Sequence, residues 1–137
     1  MAIKVEFKGF EELIEKLKDA DKDVDKAVEK CVRKSAEIID DQLKASMSSA
    51  GVAPSLIQDI NPIRYAREGN SFSAEVGYKK GAYNPKDPSD GYKAIFINYG
   101  TPKITPRNFI ADTKKKSKNK VKKEQEKILN DILGGLD

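Results

Sequence analysis

The amino-acid sequence predicts an α+β domain: a small antiparallel sheet packed on a long α-helix, with a short N-terminal helix and a charged C-terminal helix. Three patterns carry this prediction. Ile3, Val5 and Phe7 alternate with Lys4, Glu6 and Lys8, the period of a strand with one buried face. A stretch from Val24 toward Gly51 carries apolar residues at helical spacing and contains neither glycine nor proline. Two further strand-like segments flank Gly69 and Asn70, a pair suited to a tight hairpin turn. The 137 residues fit a single domain, 1–137. Apolar residues make up 38% and charged residues 35%, a balance poorer in apolar residues than an average domain. A modest core is therefore expected, with residues 114–137 projecting from it as a basic amphipathic helix.

Taken in order, the first strand ends at Gly9. Phe10, Leu13, Ile14 and Leu17 then share one side of a short helix that stops near Asp19 or Ala20. Asp21 or Asp23 can cap the long helix that follows, with Val24, Ala27, Val28, Cys31, Ser35, Ile38, Ile39, Gln42, Leu43 and Met47 tracing its inner stripe. About 27 residues at 1.5 Å each make a rod of about 40 Å, longer than a small core requires. Ser48 to Ser55 reads as a loop. In the hairpin, Phe72, Ala74, Val76 and Tyr78 alternate cleanly. Pro62 has no N–H to donate, so the preceding strand starts after it or runs along a sheet edge. Gly81 to Gly91 lacks periodicity and is expected as a long exposed loop.

Tyr92, Ile95, Phe96 and Tyr99 fall at helical spacing, although Ala94 to Ile97 would also suit a buried strand. A short helix ended by Gly100 is favoured. Pro106 then suits the first turn of a last helix running to about Leu133. Phe109 and Ile110 anchor its start, its middle has Val121 as the only aliphatic residue from Lys114 to Lys127, and Ile128, Leu129, Ile132, Leu133 and Leu136 form a second apolar patch. A solvated middle and a tip that docks on a partner are expected. On that reading, deleting Ile128 to Asp137 leaves the monomer folded.

The net charge of +4 is uneven: residues 101–137 carry ten basic and five acidic side chains, whereas residues 1–50 carry ten and twelve. Lys114, Lys115, Lys116, Lys118, Lys120, Lys122 and Lys123 are candidate phosphate contacts. No aromatic residue interleaves them, so they form no stacking platform for single strands. The absence of histidine removes the commonest general base and metal ligand. One cysteine, Cys31, builds neither an internal disulfide nor the usual zinc site, and it falls on an apolar stripe where a thiol is a small buried hydrophobe. No phosphate-loop or dinucleotide fingerprint occurs. Carboxylates such as Glu11, Glu12, Asp21 and Asp23 are sufficiently explained by helix starts. These features argue against an enzyme and for a chain with no catalytic residues, metal or cofactor. No apolar run reaches the length of a membrane span and no leader pattern is visible, so a soluble, intracellularly made product with no membrane partner is expected.

The order of short motifs resembles the neck or tail-completion (head-tail joining) proteins of long-tailed bacteriophages. Gly9 and Leu13 match an opening Gly-x-x-x-Leu. Ala94, Phe96, Gly100 and Thr101 match a run of aromatic residues closed by Gly-Thr, and Pro106, Arg107 and Phe109 match a Pro-x-Arg-Pro-Phe element before a lysine-rich helix. The chain departs at Asn98, where the family has Glu, at Asn108, where it has Pro, and at Ala53 to Leu56, where a Pro and Thr-Gly element is reduced. The resemblance implies a structural virion protein of the neck or tail, made in the bacterial host cytoplasm. It implies a six-fold ring of copies of the chain between the head-closure (connector) and tail-terminator proteins, with genomic DNA passing through the lumen without sequence-specific binding. Tyr99, Gly100, Thr101, Arg107, Phe109, Ile128, Leu129, Ile132 and Leu133 are the interaction candidates. The alternative is a small basic nucleic-acid-binding protein acting through the lysine-rich helix.

Overall fold

A computed structural model describes residues 1–79 and 88–135. Among them, β1 (Ala2–Glu6), α1 (Glu11–Asp19), α2 (Val24–Ser49), α3 (Pro54–Gln58), β2 (Asn61–Glu68), β3 (Ser71–Gly77), α4 (Asp90–Tyr99) and α5 (Phe109–Leu133) follow one another. The architecture is α+β. The strands form one antiparallel sheet in the order β1-β3-β2, which puts β3 at the centre.

The alternation seen in the sequence sets the register. Ile3 pairs with Val76 and Val5 with Ala74, while Tyr65 pairs with the same Ala74 from the other side, so these side chains share a face. Pro62 lies inside β2, and β2 is an edge strand; the register with β3 shifts between Asn61 and Arg64, where the imino residue has no ladder hydrogen to give. At the other end of β3, Gly77 has φ +125°, and a Cβ there would lie 2.7 Å from the Met1 carbonyl oxygen. Only glycine lets the N-terminus come in close enough for Tyr78 N–H to donate to that carbonyl.

The sheet covers one side of α2. Val32, Ala36, Leu43 and Met47 join Ile3, Val5, Phe72, Ala74, Val76 and Tyr78 in the main core, to which Leu56, Ala94 and Phe109 also belong. Arg33 fastens this layer, its guanidinium 4.5 Å from the Tyr65 ring centre and 3.7 Å from Glu29, which in turn pairs with Arg67 at 3.0 Å. Asp23 caps α2 by accepting from Lys26 N–H at 3.1 Å, whereas Asp21 occupies a left-handed turn residue.

The other side of α2 receives α5, and here the structure corrects the sequence reading. The C-terminal helix does not project; it runs along α2. Its contact face is Thr113, Ser117 and Gln125, small or polar residues at four-residue multiples that are all buried. Gln125 donates to Ser35 Oγ at 2.9 Å and Ser35 to the Cys31 carbonyl at 2.7 Å, while Thr113 Oγ1 donates to the Phe109 carbonyl at 2.7 Å; of the three contact residues Ser117 alone leaves its hydroxyl without a partner among the described residues. A search for aliphatic residues overlooks such a face. It also explains the length of α2, which is packed on two sides.

The tip of α5 is corrected as well. Ile128, Leu129 and Ile132 are buried with Leu17, Ala27 and Cys31 in a second core cluster beneath α1, and Leu133 is half-buried against it. Leu136 lies outside the described residues.

Smaller differences have local causes. Residues 54–58 form α3, with Pro54 in its first turn, in a stretch read from composition as loop up to Ser55. α5 starts at Phe109 and not at Pro106, because the N–H groups of Arg107 and Asn108 donate to the Ile97 and Asn98 carbonyls of α4 and the chain there runs back beside that helix. The long loop expected from Gly81 to Gly91 falls mostly outside the described residues, and its last residue is already in α4.

Candidate functional site

The segment from α4 to α5 forms a braced corner. Tyr92 to Tyr99 is helical, as favoured, and Gly100 ends it with φ +80°. A Cβ at Gly100 would sit 2.7 Å from Pro106 Cδ and 2.8 Å from the Ile104 carbonyl oxygen, so both dihedral and space demand glycine. Thr101 and Ile104 then exchange backbone hydrogen bonds of 2.9 and 3.1 Å, closing a miniature turn, while Thr101 Oγ1 accepts from Lys103 N–H at 3.1 Å. The chain returns beside α4, with Arg107 N–H donating to the Ile97 carbonyl at 3.0 Å and Asn108 N–H to that of Asn98 at 3.1 Å.

Two side chains lock this return. Asn98 is only 2% exposed, and its side-chain oxygen accepts from Ile110 N–H at 3.0 Å. It thus supplies from α4 the capping acceptor that the left-handed Asn108 does not provide to α5. Arg107 Nη1 donates to the carbonyls of Ala50 and Gly51 at 3.2 and 3.0 Å, placing a cation on the C-terminal end of α2. Phe109 is buried in the main core. Four of the sequence candidates, Gly100, Thr101, Arg107 and Phe109, therefore hold the corner together, Arg107 from its exposed side.

What the corner presents outward is narrower. Among the described residues the exposed large apolar side chains are Tyr99, at 65%, and Ile104, at 38%. Ile104 also borders a groove of about 350 Å³ whose walls include Leu56 of α3 and Phe96 and Ile97 of α4. Sequence reasoning missed Ile104; its one signal was a lone aliphatic residue between two prolines. Ile128, Leu129 and Ile132 do not join this surface, since they are buried in the separate cluster under α1.

All seven candidate lysines of α5 are exposed, but they divide between its flanks. Lys114, Lys118 and Lys122 border a groove of about 710 Å³ between α5 and the β1 edge, where Lys4 and Lys8 join them. Lys116 instead pairs with Asp112 at 3.2 Å, and that ammonium holds the Asp112 carboxyl below its ordinary range.

The described residues include one cysteine, Cys31, and it is buried. No cluster of candidate metal ligands occurs among them, and no helix there is long and apolar enough to cross a membrane. Burial pushes the Cys31 thiol up to about 12, away from reactivity.

Comparison with known proteins agrees with a structural reading. No curated protein and no solved structure matches the chain. The family model described as "Bacteriophage HK97-gp10, putative tail-component" matches residues 11–100, from the start of α1 through the Gly100 that ends α4. That span includes the long helix, the β2-β3 hairpin and the outward-facing Tyr99, and covers well over half of the chain. The chain therefore belongs to the HK97-gp10-like family of bacteriophage tail components.

Proposed function

We propose that this tail-component chain is a structural subunit of the head-to-tail joining region, assembling with copies of itself as a ring between head-closure and tail-terminator proteins. It acts by surface complementarity and not by catalysis, and DNA passes through the lumen of the ring. The observation that carries the reading is the corner: a rigid, internally braced turn that leaves Tyr99 and Ile104 outside beside an apolar groove. A solitary subunit gains nothing by bracing exposed apolar groups, whereas a subunit interface does. Rigidity also lowers the ordering cost of association.

The test is replacement of the gene in its phage by the Tyr99→Asp, Ile104→Asp double variant. Both side chains are exposed, so the isolated variant should fold and melt as the parent does. Full heads and free tails should accumulate without joining. Normal virions would overturn the proposed contact surface, and loss of tails altogether would place the chain in tail construction instead of joining.

A further inference from the structure

The groove between α5 and the β1 edge has a composition unlike the rest of the surface. Lys4 and Lys8 line one wall, and Lys114, Lys118 and Lys122 the other, with no carboxylate among the lining side chains. Lys4 and Lys8 share Glu6, at 3.1 and 3.7 Å, whereas among the described residues no carboxylate pairs with Lys114, Lys118 or Lys122. The three unpaired ammoniums recur every four residues on one flank of α5 and so follow one line along the helix. The floor includes Ser117, which is 3% exposed and whose Oγ has no hydrogen-bond partner among the described residues. Such a convergence of like charge costs repulsion when empty and favours an extended anion.

We propose that this groove binds the phosphate backbone of double-stranded DNA, with Lys114, Lys118 and Lys122 as the principal contacts and Lys4 and Lys8 as the opposite rim. Lys114 and Lys122 are separated by about 12 Å of helix at 1.5 Å per residue. Along one strand a duplex displays about three to four phosphates over that length, at one per about 3.4 Å of helix axis, so three lysines in a row meet a comparable row of charges. An acidic protein segment would need its carboxylates in the same row to compete. The proposal deepens the joining role, because it sets which flank of the subunit faces DNA in the ring, but the binding itself is a property of the single chain.

The experiment titrates the full-length chain against a fluorescent mixed-sequence duplex of about 30 base pairs, by anisotropy, from about 50 to about 200 mM salt. Lys114→Gln, Lys118→Gln, Lys122→Gln is compared with Lys116→Gln, Lys120→Gln, Lys123→Gln, which removes equal charge from other parts of α5. At about 0.9 in slope per phosphate contact, the groove triple should flatten the dependence of log K on log salt by about 2.7, and the control triple by less than about 1. Amide NMR shifts on adding the duplex should concentrate at Lys4 to Phe10 and along Lys114 to Lys122. Equal losses in the two triples, shifts spread around α5, or no binding by the parent chain at the lowest salt would each overturn the groove. Displacement of the duplex by polyglutamate at equal charge concentration would overturn DNA as its occupant in favour of an acidic protein. None of these outcomes bears on head-to-tail joining, which the corner variant tests separately.

Discussion

Gly100 shows how little freedom single positions in the corner have. Its φ of +80° with ψ of 169° lies in a region that is essentially confined to glycine and costs a side chain about 1–3 kcal/mol, and a Cβ would also press on Pro106 and on the Ile104 carbonyl at less than 3.0 Å. Gly100→Ala should lower stability by about 2–4 kcal/mol, read as a reduced urea midpoint with an unchanged m-value. A midpoint within error of the parent would show that the corner yields. Cys31 offers a second measurement at this scale. The thiol keeps its proton in the folded chain up to about 12 but ionises near 9 when exposed by unfolding. A group with a raised folded pKa contributes fully below the unfolded pKa, and its contribution is lost as pH rises toward the folded one. Relative to Cys31→Ala, the parent should therefore lose stability between about pH 9 and about 12, by about 1.4 kcal/mol per pH unit. At neutral pH, iodoacetamide should label Cys31 only as fast as the chain opens; immediate labelling would contradict its burial.

At the scale of elements, α5 reverses the expectation formed from its composition. Because Ile128, Leu129 and Ile132 fill the cluster under α1, deleting residues 128–137 removes three buried side chains worth about 1.5–3 kcal/mol each. That loss rivals the whole stability of a domain, about 5–15 kcal/mol. The truncated chain should be unfolded or strongly destabilised in isolation, and Leu129→Ala should cost about 2–5 kcal/mol. A truncated chain melting within a few degrees of the parent would return the tip to the role of an assembly surface. The polar contact of Gln125, Ser35 and Cys31 explains why hydropathy left α5 looking detached. Small side chains let two helices approach without aliphatic bulk between them.

At the scale of the whole molecule, the second core removes one of the two apolar surfaces on which the sequence would have built assembly. The remaining one, Tyr99 and Ile104 with the adjoining groove, is small beside the roughly 800 Å² per partner of a standard stable interface. Copies of the chain alone should therefore be monomeric or weakly associated at micromolar concentration, closing into a ring only on neighbouring virion proteins. Light scattering checks this, and a stable ring of the isolated chain would contradict it.

Patterns local in the chain were legible before any coordinates. Alternation placed β1 and β3, the three-and-four spacing placed α1 and α2, and the Gly-Thr motif marked the corner, because backbone period and steric demand are properties of neighbouring residues. The short motifs and their order also carried the phage resemblance, and the family match bears out a tail component over residues 11–100. Distance in sequence hid the rest. Gln125 meets Ser35 across ninety residues, Arg107 reaches the end of α2 across more than fifty, and Lys4 stands opposite Lys114 only because α2 holds β1 on one side and α5 on the other. Whether an apolar tip docks on a partner or fills its own core depends on which cavity the folded chain brings to it. For Ile128 and Leu129 that cavity is made by Leu17, Ala27 and Cys31, a juxtaposition that exists only after the two long helices have packed.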